Sequence, residues 1–271
     1  KYIVDFDDHF CAIVCVESID EFNKTNIMIP KIIHYCWFGG KPMPELALKC
    51  IESWKKFLPE YELRLWNEET FDINSVPYVK EAYEARKFAF VTDYVRLWAL
   101  EQEGGVYLDT DVEILRPLDT LLSDTAFIGL EESKALLPGT CVMGCEAHCL
   151  WVKDMLATYE NATFLKEDGS LDLTTNVQRL GAKMVEGGLL HERKIQYLPQ
   201  WGLRVYTHDY FSPITSTRVM RKSKNTYCIH HFAGSWVERT KWQKVKMFLL
   251  RKVLGRKLTD KLIQIKRRIF R

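Results

Sequence analysis

The sequence has no apolar run approaching the ~20 residues that a membrane-spanning helix requires, which excludes such a helix within these 271 residues. The apolar stretch nearest its start, residues 11–16, is short and has acids on both sides. A secretory leader needs a basic lead and a longer apolar centre, so none is expected. Internal repeats and low-complexity segments are also missing, which leaves no sign of a solenoid or a disordered linker. Cysteines are present, at positions 11, 15, 36, 50, 141, 145, 149 and 228, but the tight pairs typical of structural zinc are not. A chain of this size has no need of a disulfide framework either. The thiols are expected to be reduced and the compartment cytoplasmic, where the acceptor pattern Asn161-Ala162-Thr163 would go unused.

What is present fits one globular domain. A chain of 271 residues can bury a full core as one unit. Its 47% hydrophobic and 27% charged content is the ordinary balance of a soluble domain. The net charge of +2 is unevenly placed: residues 236–271 hold 13 Lys and Arg against Glu238 and Asp260, a local +11 that leaves −9 on the rest. Within that tail Leu258, Leu262, Ile265 and Ile269 recur at helical spacing among Lys257, Lys261, Lys266, Arg267, Arg268 and Arg271. The pattern predicts a basic amphipathic helix suited to an anionic membrane surface, where each cation contributes roughly 1 kcal/mol. The competing reading packs that helix on the acidic body of the same molecule. No nucleic-acid partner is expected, because no recognition motif accompanies the charge. The expected organisation is a segment of unassigned role over 1–29, the main domain over 30–237 and the basic tail over 238–271.

Residues 31–38 read as a buried strand ended by Gly39-Gly40. Behind Pro44, the residues Leu46, Cys50, Ile51, Trp54 and Phe57 follow at helical spacing. A second strand is expected over 61–66 and a helix over 79–87. The clearest helix covers 91–103, with Gly104-Gly105 as its stop. Val106-Tyr107-Leu108 then runs as a strand into Asp109-Thr110-Asp111. Further on, strands are expected over 126–130 and 227–232 and a helix over 151–159, while the four-residue spacing of Cys141, Cys145 and Cys149 predicts one face of a helix. This alternation predicts an α/β layered domain with a mainly parallel sheet. Ligands of such sheets bind beyond the carboxyl ends of the strands, where both Trp37-Phe38-Gly39-Gly40 and Asp109-Thr110-Asp111 fall.

Two aspartates one residue apart at a strand's exit offer hard oxygen ligands to Mg²⁺ or Mn²⁺. These ions use few protein carboxylates and complete their shells with phosphate oxygens and water. A cation held there can neutralise charge developing on a diphosphate leaving group. For an isolated triplet an acidic surface turn is the plain alternative, and the hydrophobic strand leading straight into it weighs against that. Asp93 and Arg96, at i and i+3, share a helix face; on spacing alone they are an ordinary surface ion pair worth under ~1 kcal/mol.

The stretch Phe90-Val91-Thr92-Asp93-Tyr94-Val95-Arg96, continued through Gly104-Gly105-Val106-Tyr107-Leu108-Asp109-Thr110-Asp111, resembles the central signature of the family 32 sugar transferases. These include bacterial capsule and lipopolysaccharide transferases and fungal Golgi mannosyltransferases, and the arrangement is shared by the glucosylating domains of clostridial cytotoxins. Ile32-Ile33-His34-Tyr35-Cys36-Trp37-Phe38-Gly39-Gly40 resembles the family's first strand, and His230-His231-Phe232-Ala233-Gly234-Ser235-Trp236 its closing segment. The resemblance thus covers roughly residues 30–236. It implies a GT-A type nucleotide-sugar-binding fold with a mainly parallel central sheet, ahead of the basic amphipathic helical tail. It also implies retaining transfer of a hexose from a nucleotide diphosphate sugar, UDP-linked before GDP-linked, to a hydroxyl of a lipid-linked or surface glycan. By the same resemblance Asp111 ligates the metal, Asp109 reaches the ribose or the metal's water shell, and Asp93 and Arg96 grip the donor sugar. His34, Trp37, Ser235 and Trp236 belong to the donor site, with Trp37 stacked on the base and Trp236 closing over the diphosphate. His231 supplies the late metal contact, though His230 stands beside it with the same chemistry. An imidazole in the set favours Mn²⁺ over Mg²⁺.

Two other readings compete. A haloacid dehalogenase-like phosphohydrolase also carries Asp-x-Asp after an apolar strand, but it places Thr or Val where Glu113 stands and opens its domain with the motif. A non-catalytic glycan- or membrane-binding protein on the same fold is the third reading, which the presence of both aspartates and Arg96 opposes. Together with the tail, the favoured reading places the protein peripherally on the inner face of the cell membrane. It predicts that the intact protein sediments with anionic liposomes and that a form truncated after residue 240 does not; equal binding by the two would refute the tail's role.

Overall fold

The computed structural model describes residues 28–132, 135–214 and 220–234. Most of the expected N-terminal segment, the basic tail, Ser235 and Trp236 lie outside the described residues. Among the described residues no helix is long and apolar enough to cross a membrane.

The β-branched and aromatic run Ile32–Cys36 forms β1 and is followed by α1 (Glu45–Phe57), β2 (Glu62–Trp66), α2 (Pro77–Glu84) and α3 (Phe88–Glu103). Next come β3 (Gly105–Leu108), β4 (Val112–Ile114), β5 (Ala126–Glu132), β6 (Ala135–Cys145) and α4 (Leu150–Ala157). The described chain closes with α5 (Asn176–Glu186), β7 (Gln196–Leu198), β8 (Leu203–Tyr206) and β9 (Cys228–His230). Seven strands form one sheet in the order β2-β1-β3-β6-β5-β8-β7, and β4 pairs separately with β9. In the large sheet β2, β1, β3, β5 and β8 run one way, with β6 and β7 against them. The fold is therefore mixed α/β with a mostly parallel central sheet.

Both faces of that sheet are covered, which is why β3 is buried at every position and shows no polar alternation. Tyr107 faces a core shared with Val91 and Val95 of α3, whereas Val106 and Leu108 face a second core with Cys50 and Trp54 of α1. Trp54 is fully buried, and its indole N–H donates to the Val112 carbonyl at 2.7 Å, tying α1 to β4.

The helix expected from the cysteine spacing is instead the long strand β6, with Cys149 standing just before α4. A spacing of four satisfies a helix face and the two-residue period of a strand equally. Burial on both sides of β6 had removed the alternation that distinguishes them. The pairing of β5 with β6 is regular up to Ile128 opposite Met143, then shifts so that Gly129 faces Gly139. Residues 140–142 are accommodated as an irregularity beside the end of β3, as bulges commonly are near functional sites.

The junction from α3 to β3 admits only glycine. Gly104 has φ 64° and ψ −163°, a region closed to side chains, and a Cβ there would lie 2.5 Å from the Ala147 nitrogen. Gly105 follows at φ 101°, where a Cβ would meet the Ile32 carbonyl oxygen at 2.8 Å. Gly104→Ala is therefore expected to cost at least about 1–3 kcal/mol, read as a lowered urea midpoint with an unchanged slope.

Candidate functional site

Asp93 and Arg96 sit one turn apart on α3, and the helix brings their shared face to the end of β3. Arg96 is 5% exposed. Its Nη2 lies 3.1 Å from Asp93 Oδ1 and its Nη1 lies 3.3 Å from Asp109 Oδ1. Nη1 also donates to the Thr140 carbonyl at 2.8 Å, and the guanidinium carbon stands 4.6 Å from the centre of the Tyr107 ring. Burial opposes the charge on Arg96, but Asp109 and Asp93 outweigh it and hold the group protonated. The pair is thus a buried junction between helix and strand, where the spacing alone had left a surface ion pair.

Asp93 is as constrained as its partner. Burial raises its carboxyl above the ordinary value, opposed by Arg96 and by a backbone donor from Asn176. That donor is the Asn176 N–H, 3.0 Å from Asp93 Oδ2, while the Asn176 side-chain amide donates to the Asp93 carbonyl at 3.1 Å. Asn176 is the first residue of α5, whose start is fixed by a capping box between Thr175 and Gln178.

Asp109 takes a hydrogen bond from the Tyr107 hydroxyl at 2.8 Å, and its own N–H donates to the Cys141 carbonyl at 2.9 Å. The irregular part of β6 therefore serves both members of the ion pair: Thr140 holds the Arg96 side chain and Cys141 holds the Asp109 backbone. Asp111 is fixed from the other side. The Ala233 N–H donates to its Oδ2 at 2.7 Å, and the His231 N–H donates to its carbonyl at 3.0 Å.

The antiparallel register of β4 and β9 places His230 opposite Val112. Its Nε2 stands 3.4 Å from Asp111 Oδ1 and its Nδ1 stands 3.8 Å from Glu131 Oε1. Burial opposes charge on both partners. Even so, His230 with the Ala233 N–H lowers the Asp111 carboxyl, and Cys141 and Asp111 raise the imidazole well above its usual range. Ligand atoms of Asp109, Asp111 and His230 all lie within 4.8 Å of one another, as do those of Glu131, Cys141 and His230.

Three expectations on single residues need correction or placing. The metal contact was expected from His231, but the structure turns His230 toward Asp111. Successive residues of an extended segment face opposite ways, so the His231 ring goes to Glu113, 2.9 Å from its carboxylate. His34 was expected in the donor site, yet it is 0% exposed. Its Nε2 bonds the Gly104 carbonyl at 2.8 Å and its Nδ1 accepts from the Trp66 indole at 3.1 Å, so it braces β1 against the helix–strand junction. Burial lowers its pKa, which suits this neutral, two-sided role. Trp37 is half-buried just beyond β1, with its indole N–H bonded to the Lys41 carbonyl. Tyr107, Glu131, Cys141 and Asn176 were not singled out from sequence for this site. His230 had been left open as the alternative to His231, whereas Glu131 carried no signal.

Residues 44–128 match the family described as the glycosyltransferase sugar-binding region containing the DXD motif. The chain is 28% identical over 131 residues to inositol phosphoceramide mannosyltransferase 3 of Schizosaccharomyces pombe, covering 47% of this chain and 36% of that protein. It is 30% identical over 128 residues to the initiation-specific alpha-1,6-mannosyltransferase of Candida albicans, covering 44% and 32%. The matches thus span about a third of the length of these two relatives. Among solved structures it is similar to the PaToxG glycosyltransferase, with a TM-score of 0.43, 16% identity and coverage of 65% and 80%.

Removing the guanidinium would strand two carboxylates around a buried vacancy. Arg96→Leu is expected to destabilise the protein by about 3–5 kcal/mol, the usual effect of breaking a buried ion pair from one side. Chemical denaturation measures this directly, and a loss below 1 kcal/mol would mean that the junction is solvated.

Proposed function

We propose that this chain, which carries the sugar-binding region of the DXD glycosyltransferases, transfers a hexose from a UDP- or GDP-sugar to a hydroxyl of a lipid-linked or surface glycan, with a divalent cation at Asp109, Asp111 and His230. The observation that carries the proposal is the convergence of two carboxylates and an imidazole at the exit of β3, against a charged and buried arginine. The residues present fit a metal. Two hard oxygens and one borderline nitrogen suit Mn²⁺ ahead of Mg²⁺. His230 also leaves Nδ1 buried without a hydrogen-bond partner among the described residues, as a ring held by its other nitrogen would. When bound, such an ion neutralises charge gathering on a departing diphosphate.

The chain's own residues supply the rest. Ala233 N–H and His230 keep Asp111 ionised and oriented before any ligand arrives. Arg96 sets a fixed positive charge beside the diphosphate position, where low dielectric strengthens it. Asp93, oriented by Asn176 and Arg96, offers its carboxylate to a sugar hydroxyl. Retention of configuration follows from the family resemblance, and the names of the matched yeast enzymes make mannose the leading sugar. The phosphohydrolase reading needs a free nucleophilic aspartate at position 109, whereas Asp109 is engaged by Tyr107 and Arg96. The basic tail, on its sequence pattern, would hold the enzyme to the inner membrane face near lipid-linked acceptors.

Asp111→Ala is expected to abolish hexose transfer, by at least ~100-fold on the scale of lost electrostatic stabilisation, with unfolding unchanged. The assay offers UDP- and GDP-hexoses with Mn²⁺ and follows nucleotide release and glycan product. Near-normal turnover by that variant, or phosphate release from a simple ester without any nucleotide sugar, would overturn the proposal.

A further inference from the structure

Glu131 has no part in the motifs above, yet it is the carboxylate that faces the far side of His230. It lies on β5 where pairing with β6 becomes irregular: Leu130 pairs with Pro138 and Glu132 with Ala135 and Leu137. Irregular pairing of this kind re-aims a side chain relative to a flat ladder, and Glu131 stands with its Oε1 3.8 Å from His230 Nδ1. The opposite nitrogen, Nε2, is the one near Asp111. Nδ1 is buried and has no hydrogen-bond partner among the described residues. Glu131 is therefore a carboxylate placed to accept a proton from Nδ1.

We infer that Glu131 is a positioning residue of the metal site, accepting the Nδ1 proton of His230 so that the Nε2 lone pair is presented to an ion shared with Asp109 and Asp111. The inference rests on the metal reading proposed above and extends it by one residue that does not touch the ion. An imidazole carries its single neutral proton on one nitrogen or the other, and a carboxylate at Nδ1 selects the form whose Nε2 can ligate. It also fixes the ring plane and increases ligand basicity, and removing such an outer partner typically costs 10–100-fold in metal affinity. The bulged strand explains why the carboxylate arrives from β5, across β6 from the motif itself.

Cys141 is the rival neighbour, since its sulfur also lies in a cluster with Glu131 and His230. It is 1% exposed and its sulfur is 3.7 Å from the Ser212 hydroxyl. A cysteine sulfur is a weak hydrogen-bond acceptor and a carboxylate a strong one, so Glu131 and not Cys141 is assigned the role.

The test titrates the full chain with Mn²⁺, alone and with UDP, following free Mn²⁺ by paramagnetic resonance. Glu131→Leu is expected to weaken Mn²⁺ binding about 10–100-fold, while Glu131→Gln, whose amide oxygen still accepts the proton, retains most of the affinity. Added to His230→Ala, Glu131→Leu should produce no further loss. Wild-type affinity in Glu131→Leu, or a loss that adds fully to that of His230→Ala, overturns the inference and leaves the proposed transfer intact. Failure of the wild type to bind Mn²⁺ in either condition overturns the metal reading itself. Should Glu131→Leu not fold, nitrogen NMR of histidine-labelled wild type decides: the account requires a proton on Nδ1 of His230, and a ring protonated on Nε2 alone contradicts it. A thiolate charge-transfer band on substituting Co²⁺ would give the role to Cys141 and sink the assignment.

Discussion

The buried guanidinium of Arg96 is the contact on which the rest of the site depends. It joins a helix carboxylate, Asp93, to a strand-exit carboxylate, Asp109, and it is held in turn by a carbonyl of the irregular strand β6. Two carboxylates converging at low dielectric would otherwise repel each other or take up protons. One fixed positive charge between them gives both carboxylates a defined orientation. The arrangement stabilises little by itself, since desolvating three charges offsets much of their attraction. What it gives is geometry: α3, β3, β6 and α5 meet at one point and cannot slide independently.

Other features of the fold serve that meeting point. The glycine pair at positions 104 and 105 lets α3 reverse into β3 at once, which brings Asp93 and Asp109 to the same end of the sheet. His34 fills the space behind the reversal and bonds the Gly104 carbonyl. On the opposite side, the short β4–β9 ladder brings the late histidines back to Asp111 across more than a hundred residues. The Asp-x-Asp segment is consequently pinned at both of its ends by backbone hydrogen bonds, to Cys141 and to His231.

Much of this was legible in the sequence where local signals were strong. The strand before the aspartates, the helix before that strand and the glycine stop between them follow from periodicity and from glycine chemistry. The pairing of Asp93 with Arg96 follows from their spacing, although its burial does not. Less legible were contacts made by long-range register. Which of two adjacent histidines turns inward depends on the pairing of β9 with β4, and neither strand announces its partner. Glu131 and Asn176 come from segments that read as irregular, and only β6 and the capped start of α5 bring them in. His34 misled for a physical reason: a histidine on a strand beside aromatic residues looks the same whether its two nitrogens bond a ligand or, as here, a carbonyl and an indole.

The most direct test of the central claim is anomalous diffraction from crystals grown with Mn²⁺ and UDP. The account predicts one strong manganese peak within coordination distance of Asp111 and of His230 Nε2, with Arg96 still bridging Asp93 and Asp109 beside the diphosphate. A peak at Glu113 and His231 instead, or a diphosphate bound away from Arg96, would contradict it.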